Sequence, residues 1–223
     1  MKFKIKTLIL AVFIPLLLNA CASNRGVISL NIPAPQSEAK YNNETIFIKS
    51  VTDNRIFEEK PTSPNIPSLG FGGAEKASVT LKKRAVARKR NAYGKALGDI
   101  ILQEGETVES IIKGSLARSF TELGYKVINE KSQITKDTII IEASINKFWS
   151  WMNIGFWTLG LTSEIDVKIM LEKHNEVRKI SAVYEERFMT ARGSNWIKIM
   201  NKNLDNFNDE VKKSIKSKEF SKE

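Results

Sequence analysis

Residues able to do chemistry are scarce in this chain: it holds one cysteine, Cys21, and one histidine, His174. A structural or catalytic metal needs several His, Cys or carboxylate ligands at coordinating spacing, and no such cluster is evident. His174 lies in His174-Asn175-Glu176, which reads as a solvated turn. Ser-His-Asp chemistry would have to use that histidine, and there is no Gly-x-Ser-x-Gly elbow. Gly70-Phe71-Gly72-Gly73 lacks the Gly-Lys-Ser/Thr of a phosphate-cradling loop, and Gly94-Lys95-Ala96 lacks the hydroxyl that would hold Mg²⁺. The pairs Glu58-Glu59 and Glu185-Glu186 are adjacent, so on a strand their carboxylates point to opposite faces. A carboxylate pair assembled across strands stays open, but nothing favours it. The expectation is a protein with no catalytic residues, no metal and no cofactor, and not an enzyme.

Cys21 is the exception. Lys2, Lys4 and Lys6 precede an uncharged apolar run from Leu8 to Leu18, interrupted only by Pro15. This has the form of a secretory signal and is too short to span a bilayer, which takes roughly 20 apolar residues. Leu18-Asn19-Ala20-Cys21 resembles the bacterial lipobox. That resemblance implies cleavage after residue 20, a diacylglyceryl thioether on the Cys21 thiol and acylation of the new amine. Each buried CH₂ contributes about 0.8 kcal/mol, and two or more chains make an anchor stable where one is marginal. The other readings are an ordinary cleaved signal followed by a free thiol, or a buried core cysteine. By the same resemblance, Ala22 rather than Asp after the cysteine implies release to the outer membrane. A sole cysteine also excludes an intramolecular disulfide.

Two further stretches stand out. Phe148-Trp149-Ser150-Trp151-Met152-Asn153-Ile154-Gly155-Phe156-Trp157 holds three of the four tryptophans. Trp149, Trp151, Phe156 and Trp157 fall where two long strands should be joined, and loop tips are normally polar. They suit a protein partner or a membrane interface; alternatively the tip folds back and meets the preceding insertion as a satellite core. The second stretch, Lys82 to Lys95, carries Lys82, Lys83, Arg84, Arg88, Lys89 and Arg90 with Tyr93. The full chain carries a net charge of +10, which removal of the three signal lysines lowers to +7 (10 − 3), and on an exported protein the available ligand is an anionic lipid headgroup rather than nucleic acid. A merely solvated face is the competing reading.

The elements that would position these residues follow from periodicity. Residues 21–44 are polar with Pro33 and Pro35 and read as an acylated N-terminus and flexible tether. Thr45–Val51 alternates as a first strand and ends in the turn-prone Asp53-Asn54-Arg55. Residues 57–105 read as a loop-rich basic insertion, with a short strand near Val79–Leu81 or a helix over Ala85–Leu97 as alternatives. From Thr107, Val108, Ile112, Leu116, Phe120 and Leu123 fall at helical spacing, with Gly124 as C-cap. Tyr125–Ile128 is a short strand. Thr138–Trp151, Leu161–Leu171 and Val177–Phe188 form an antiparallel meander, with Ile139, Ile141, Ala143, Ile145, Trp149 and Trp151 on one face. A closing helix from Ser194 to Ile215 is apolar at Ile197, Met200, Leu204, Phe207, Val211 and Ile215, and a charged tail follows over 217–223. The result is an α+β domain over 45–216: a mixed, mainly antiparallel sheet with two amphipathic helices on one face, behind a lipid-anchored tether.

This order, the lipobox, Ser50-Val51-Thr52-Asp53-Asn54-Arg55, Leu123-Gly124-Tyr125-Lys126-Val127 and the meander over 138–188 together resemble the YajG-like bacterial lipoproteins. The resemblance covers about two thirds of the chain beyond the signal; the 57–105 insertion departs from it. It implies an outer-membrane lipoprotein facing the periplasm, without established catalysis, and brings no catalytic residues. The expected role is an accessory or structural subunit of an envelope assembly, docking a protein partner through the aromatic tip. The alternative is a lipid-binding or lipid-trafficking module; an envelope hydrolase is the third reading.

Overall fold

A computed structural model describes residues 25–35, 42–91, 93, 95–155, 157–172 and 175–216. Cys21 and the signal, Phe156, His174 and the tail over 217–223 lie outside the described residues. The chain forms strands β1 (Gly26–Ile28) and β2 (Thr45–Asp53), short helices α1 (Gly73–Lys76) and α2 (Val79–Arg84), and strands β3 (Ala85–Arg90) and β4 (Ala96–Leu102). Helix α3 (Val108–Glu122), strands β5 (Lys126–Ile128), β6 (Ile139–Ile154), β7 (Leu159–Leu171) and β8 (Glu176–Phe188), and helix α4 (Gly193–Lys216) complete it. This is an α+β domain with one mixed eight-stranded sheet.

Strand β6 is the spine. One edge pairs with β7 from Ile141 to Ile154, and β7 pairs with β8, giving the antiparallel meander. The other edge is shared: β2 runs parallel to its first half from Ile46↔Ile139 to Asp53↔Ile145, and β3 runs parallel to its second half at Ala87↔Ser150. Strand β5 adds to β2, and β4 and β1 continue beyond β3.

The insertion therefore differs from the loop-rich segment expected. Its Val79–Leu81 portion is helical, and Ala85–Leu102 supplies two strands rather than a helix. The bases at Arg88, Lys89 and Arg90 concealed the strand, because the apolar part of β3 is only Ala85-Val86-Ala87, all fully buried. The expected tether is also shorter. Gly26–Ile28 pairs in parallel with Ile100–Leu102, and Ile28 and Leu30 are buried in the main core, so the sheet begins well before residue 45. A three-residue strand that docks only on a partner so distant in sequence carries no periodicity to read.

Both long helices lie on one face, over residues such as Ile48, Ile141, Ile145, Ile165 and Val167. Helix α3 starts at a reciprocal capping box between Thr107 and Ser110 and stops at Gly124, whose φ of 91° suits glycine alone without strain. Helix α4 buries Trp196, Ile199, Met200, Leu204, Phe207, Val211 and Ile215, while Ile197 is only half-buried.

A polar clasp joins the two helices. The Glu122 carboxylate accepts from Arg118 at 2.8 Å, Asn208 at 2.8 Å and Lys212 at 2.9 Å. Ser119 in turn donates to Asn208. Burial opposes ionisation of Glu122, but these donors outweigh it and hold its pKa at about 2. A carboxyl depressed in the folded state supports folding above its ordinary pKa and loses that contribution as pH falls through the folded value. Stability should therefore decline between about pH 4.5 and pH 2. Glu122→Gln should lower stability at pH 7 and flatten that acid limb, as read by urea midpoints across pH.

A shift in register between Ile145 and Lys147 places a bulge in β6. One extra residue reverses the alternation that follows it. Ile139, Ile141, Ala143 and Ile145 face the helices as expected, but beyond the bulge Phe148 takes that face. Trp149 turns to the opposite face, where it joins Leu69, Ala85 and Ile101, with Phe57, Leu81 and Trp151 packed around them. The insertion thus covers the second face of the sheet over β3, β4 and the end of β6.

Candidate functional site

The bulge divides the expected aromatic docking cluster. Trp149 is 1% exposed, meets Phe57 edge-on at 6.0 Å and donates its indole N–H to Pro64 O at 3.1 Å. Trp151 is half-buried in the same cluster, with Lys147 Nζ 5.5 Å from its ring. Both are core residues under the insertion, the satellite-core alternative, and not parts of an exposed tip. Phe156 lies outside the described residues, and Trp157 is 81% exposed.

Several of the six cations of the basic stretch are engaged by neighbouring elements. Lys83 pairs with Glu109 on α3 at 2.9 Å, and Arg84 Nε donates to Leu102 O at 2.9 Å. Arg90 donates to Pro61 O at 3.3 Å and Ser68 Oγ at 3.5 Å, and burial lowers its pKa. The Arg88 Nε is buried, and Lys82 and Lys89 are half-buried. Helix and strand geometry spread these residues over different contacts.

The buried ionisable groups outside this stretch serve the architecture. The Arg55 side chain is fully buried and bidentate to Asp53, at 2.8 Å to each carboxylate oxygen. It also donates to the carbonyls of Lys82, Ala85 and Phe148 at 2.6–2.9 Å. One guanidinium thus ties the end of β2 to α2, β3 and β6. Asp99, buried on β4, accepts from Gly70 N at 2.9 Å and Arg25 Nε at 3.3 Å, which fixes the start of β1 and the insertion together. Among the described residues no group of three or more His, Cys, Asp or Glu could hold a metal ion. No helix of the described residues is long and apolar enough to cross a membrane.

The topology assembles something else. Because β3 and β6 are parallel, the β3–β4 turn and the β6–β7 turn lie side by side at one end of the sheet. Asn91 Oδ1 holds the first turn, accepting from Tyr93 N and Lys95 N, and Gly155 N closes the second on Thr158 O at 2.9 Å. Strand β8 ends there too, since Phe188 pairs with Leu159. This end displays Tyr93 at 94% exposure with Trp157, Ile154 and Met189, surrounded by exposed Lys95, Arg187 and Arg192. The sequence pointed to Tyr93 and Trp157; Met189, Arg187 and Arg192 carried no signal because only β8 pairing brings them to these turns.

No family model matches the chain. It is 28% identical over 124 residues to the RNA-directed RNA polymerase L of Andes orthohantavirus, a match covering 52% of this chain and 5% of that protein. The chain thus corresponds to a small fraction of that relative's length. Among solved structures it is similar to a Xanthomonas campestris protein described under the family DUF330, at 9% identity and a TM-score of 0.51, over 86% of this chain and 95% of that one. An uncharacterized protein aligns with a TM-score of 0.48 at 9% identity, over 86% and 99% of the two chains. A lipoprotein of Neisseria meningitidis aligns at 0.34 and 8% identity, over 78% and 99%. The first of these shows a shared fold and nothing of function; the other two likenesses are too slight to argue from.

Proposed function

We propose that this chain is a YajG-like outer-membrane lipoprotein, anchored by acyl chains on Cys21 and facing the periplasm, where it acts without catalysis as an accessory subunit of an envelope assembly. The observation that carries this reading is the sole cysteine standing directly after an export segment. The non-catalytic part draws support from Arg55, Asp99 and Glu122, whose polar contacts join elements of the fold instead of facing a cleft. The lipid-trafficking alternative needs an enclosed apolar chamber. Phe148, Leu161, Trp196 and Phe207 are buried in the space between sheet and helices, where such a chamber would lie.

Cys21→Ser should abolish incorporation of labelled palmitate and release the chain from the outer-membrane fraction, with the domain still folded. Unchanged labelling and fractionation would overturn the anchor. Co-purification of the membrane-extracted protein with a stoichiometric envelope protein tests the subunit role, and isolation of the lipoprotein alone would count against it.

A further inference from the structure

We infer that the end of the sheet formed by the β3–β4 and β6–β7 turns is seated against the phospholipid bilayer, with Trp157 and Tyr93 in the headgroup layer. The inference rests on the Cys21 anchor and adds the orientation of the domain upon it.

Chain direction is the first argument. Strand β1 runs parallel to β4, with Gly26 opposite Ile100 and Arg25 bonded to Asp99. Going back from Gly26 towards the N-terminus is therefore going back along β4 from Ile100 towards Ala96, which is the turn end. Arg25 lies about three strand residues, or roughly 10 Å, from that end. Cys21 stands four positions before Arg25, a reach of at most about 14 Å. The acylated residue is thus confined to within about 14 Å of Arg25, which leads out of β1 on the turn side. A domain held this closely cannot stand clear of the bilayer, and it meets the membrane with the end from which its anchor leaves.

Composition is the second argument. Tryptophan and tyrosine have an apolar body and a polar edge and settle at the level of lipid headgroups. Tyr93 and Trp157 are displayed on adjacent turns, with Met189 at 77% and Ile154 at 46% exposure beside them. Lys95, Arg187 and Arg192 supply positive charge for anionic headgroups; the exposed Glu185 sits one pleat further back on β8. The opposite end is different: its loop before β6 exposes Glu130, Lys131, Lys136 and Asp137, the surface expected to face water.

The test uses the full-length acylated protein in cells, with a photoreactive residue replacing Trp157, Tyr93 or, as a control at the far end, Lys136. All three are exposed turn or loop positions, so folding should be retained. Phospholipid adducts at 157 and 93, at least tenfold above those at 136, are expected. A discrete protein adduct at 157 in place of lipid would overturn the seating and make this end a partner-docking surface. Absence of any adduct above the control would overturn it as well. Fractionation of the same cells reads the anchor separately: membrane-bound protein without lipid adducts defeats only the orientation, whereas protein released from membranes defeats the anchor and the orientation with it.

Discussion

Arg55→Ala should destabilise the domain by about 3–5 kcal/mol, the cost typical of removing one partner from a buried ion pair. The side chain is inaccessible to solvent, and its removal strands the Asp53 carboxylate together with the carbonyls of Lys82, Ala85 and Phe148. Those carbonyls belong to α2, β3 and β6, so the lost bonds all lie where the sheet is forked. Arg55→Lys should recover little, because an ammonium cannot reproduce the bidentate fork while reaching three carbonyls. Urea denaturation of the three proteins measures this. A loss below about 1 kcal/mol for Arg55→Ala would mean that water replaces the guanidinium, and its bonds to α2, β3 and β6 would have no energetic weight.

Trp149→Ala and Trp157→Ala should differ sharply although the residues stand eight apart in sequence. Trp149 fills the second core, and truncating such a side chain typically costs about 3–5 kcal/mol. It also holds the insertion through Pro64 and Phe57, so the variant should become susceptible to proteolysis within residues 57–69. Trp157, 81% exposed, should change stability by less than about 0.5 kcal/mol. Equal effects in denaturation curves would show that the bulge in β6 does not divide the aromatic run.

These two residues also mark where the sequence could be read and where it could not. Helix α3, helix α4 and the meander were legible because each carries its own periodicity and end signals, such as Thr107 and Gly124. Trp149 lies on the face opposite to the one that simple alternation through position 146 gives, and nothing in Ile145-Asn146-Lys147 announces an extra residue. Strands β1 and β3 carry no local signal because their burial depends on partners far along the chain. Of the turn end, the sequence offered Trp157 and Tyr93 as separate features. Their adjacency is created by one parallel pairing, Ala87 with Ser150, which no local pattern encodes.

The position of β6 late in the chain has a consequence for biogenesis. Among the described residues strand β2 pairs with β5 and β6, and β3 meets β6 through Ser150, so this sheet cannot close until residues near Ile154 have emerged. Sheets built from such distant parallel pairings are slow to form. On the proposed export route, that delay keeps the leading half from closing its sheet before translocation through the export pore. Moving the β6–β7–β8 segment ahead of β2 by circular permutation should speed folding, and a signal fused to that permutant should jam the pore more often.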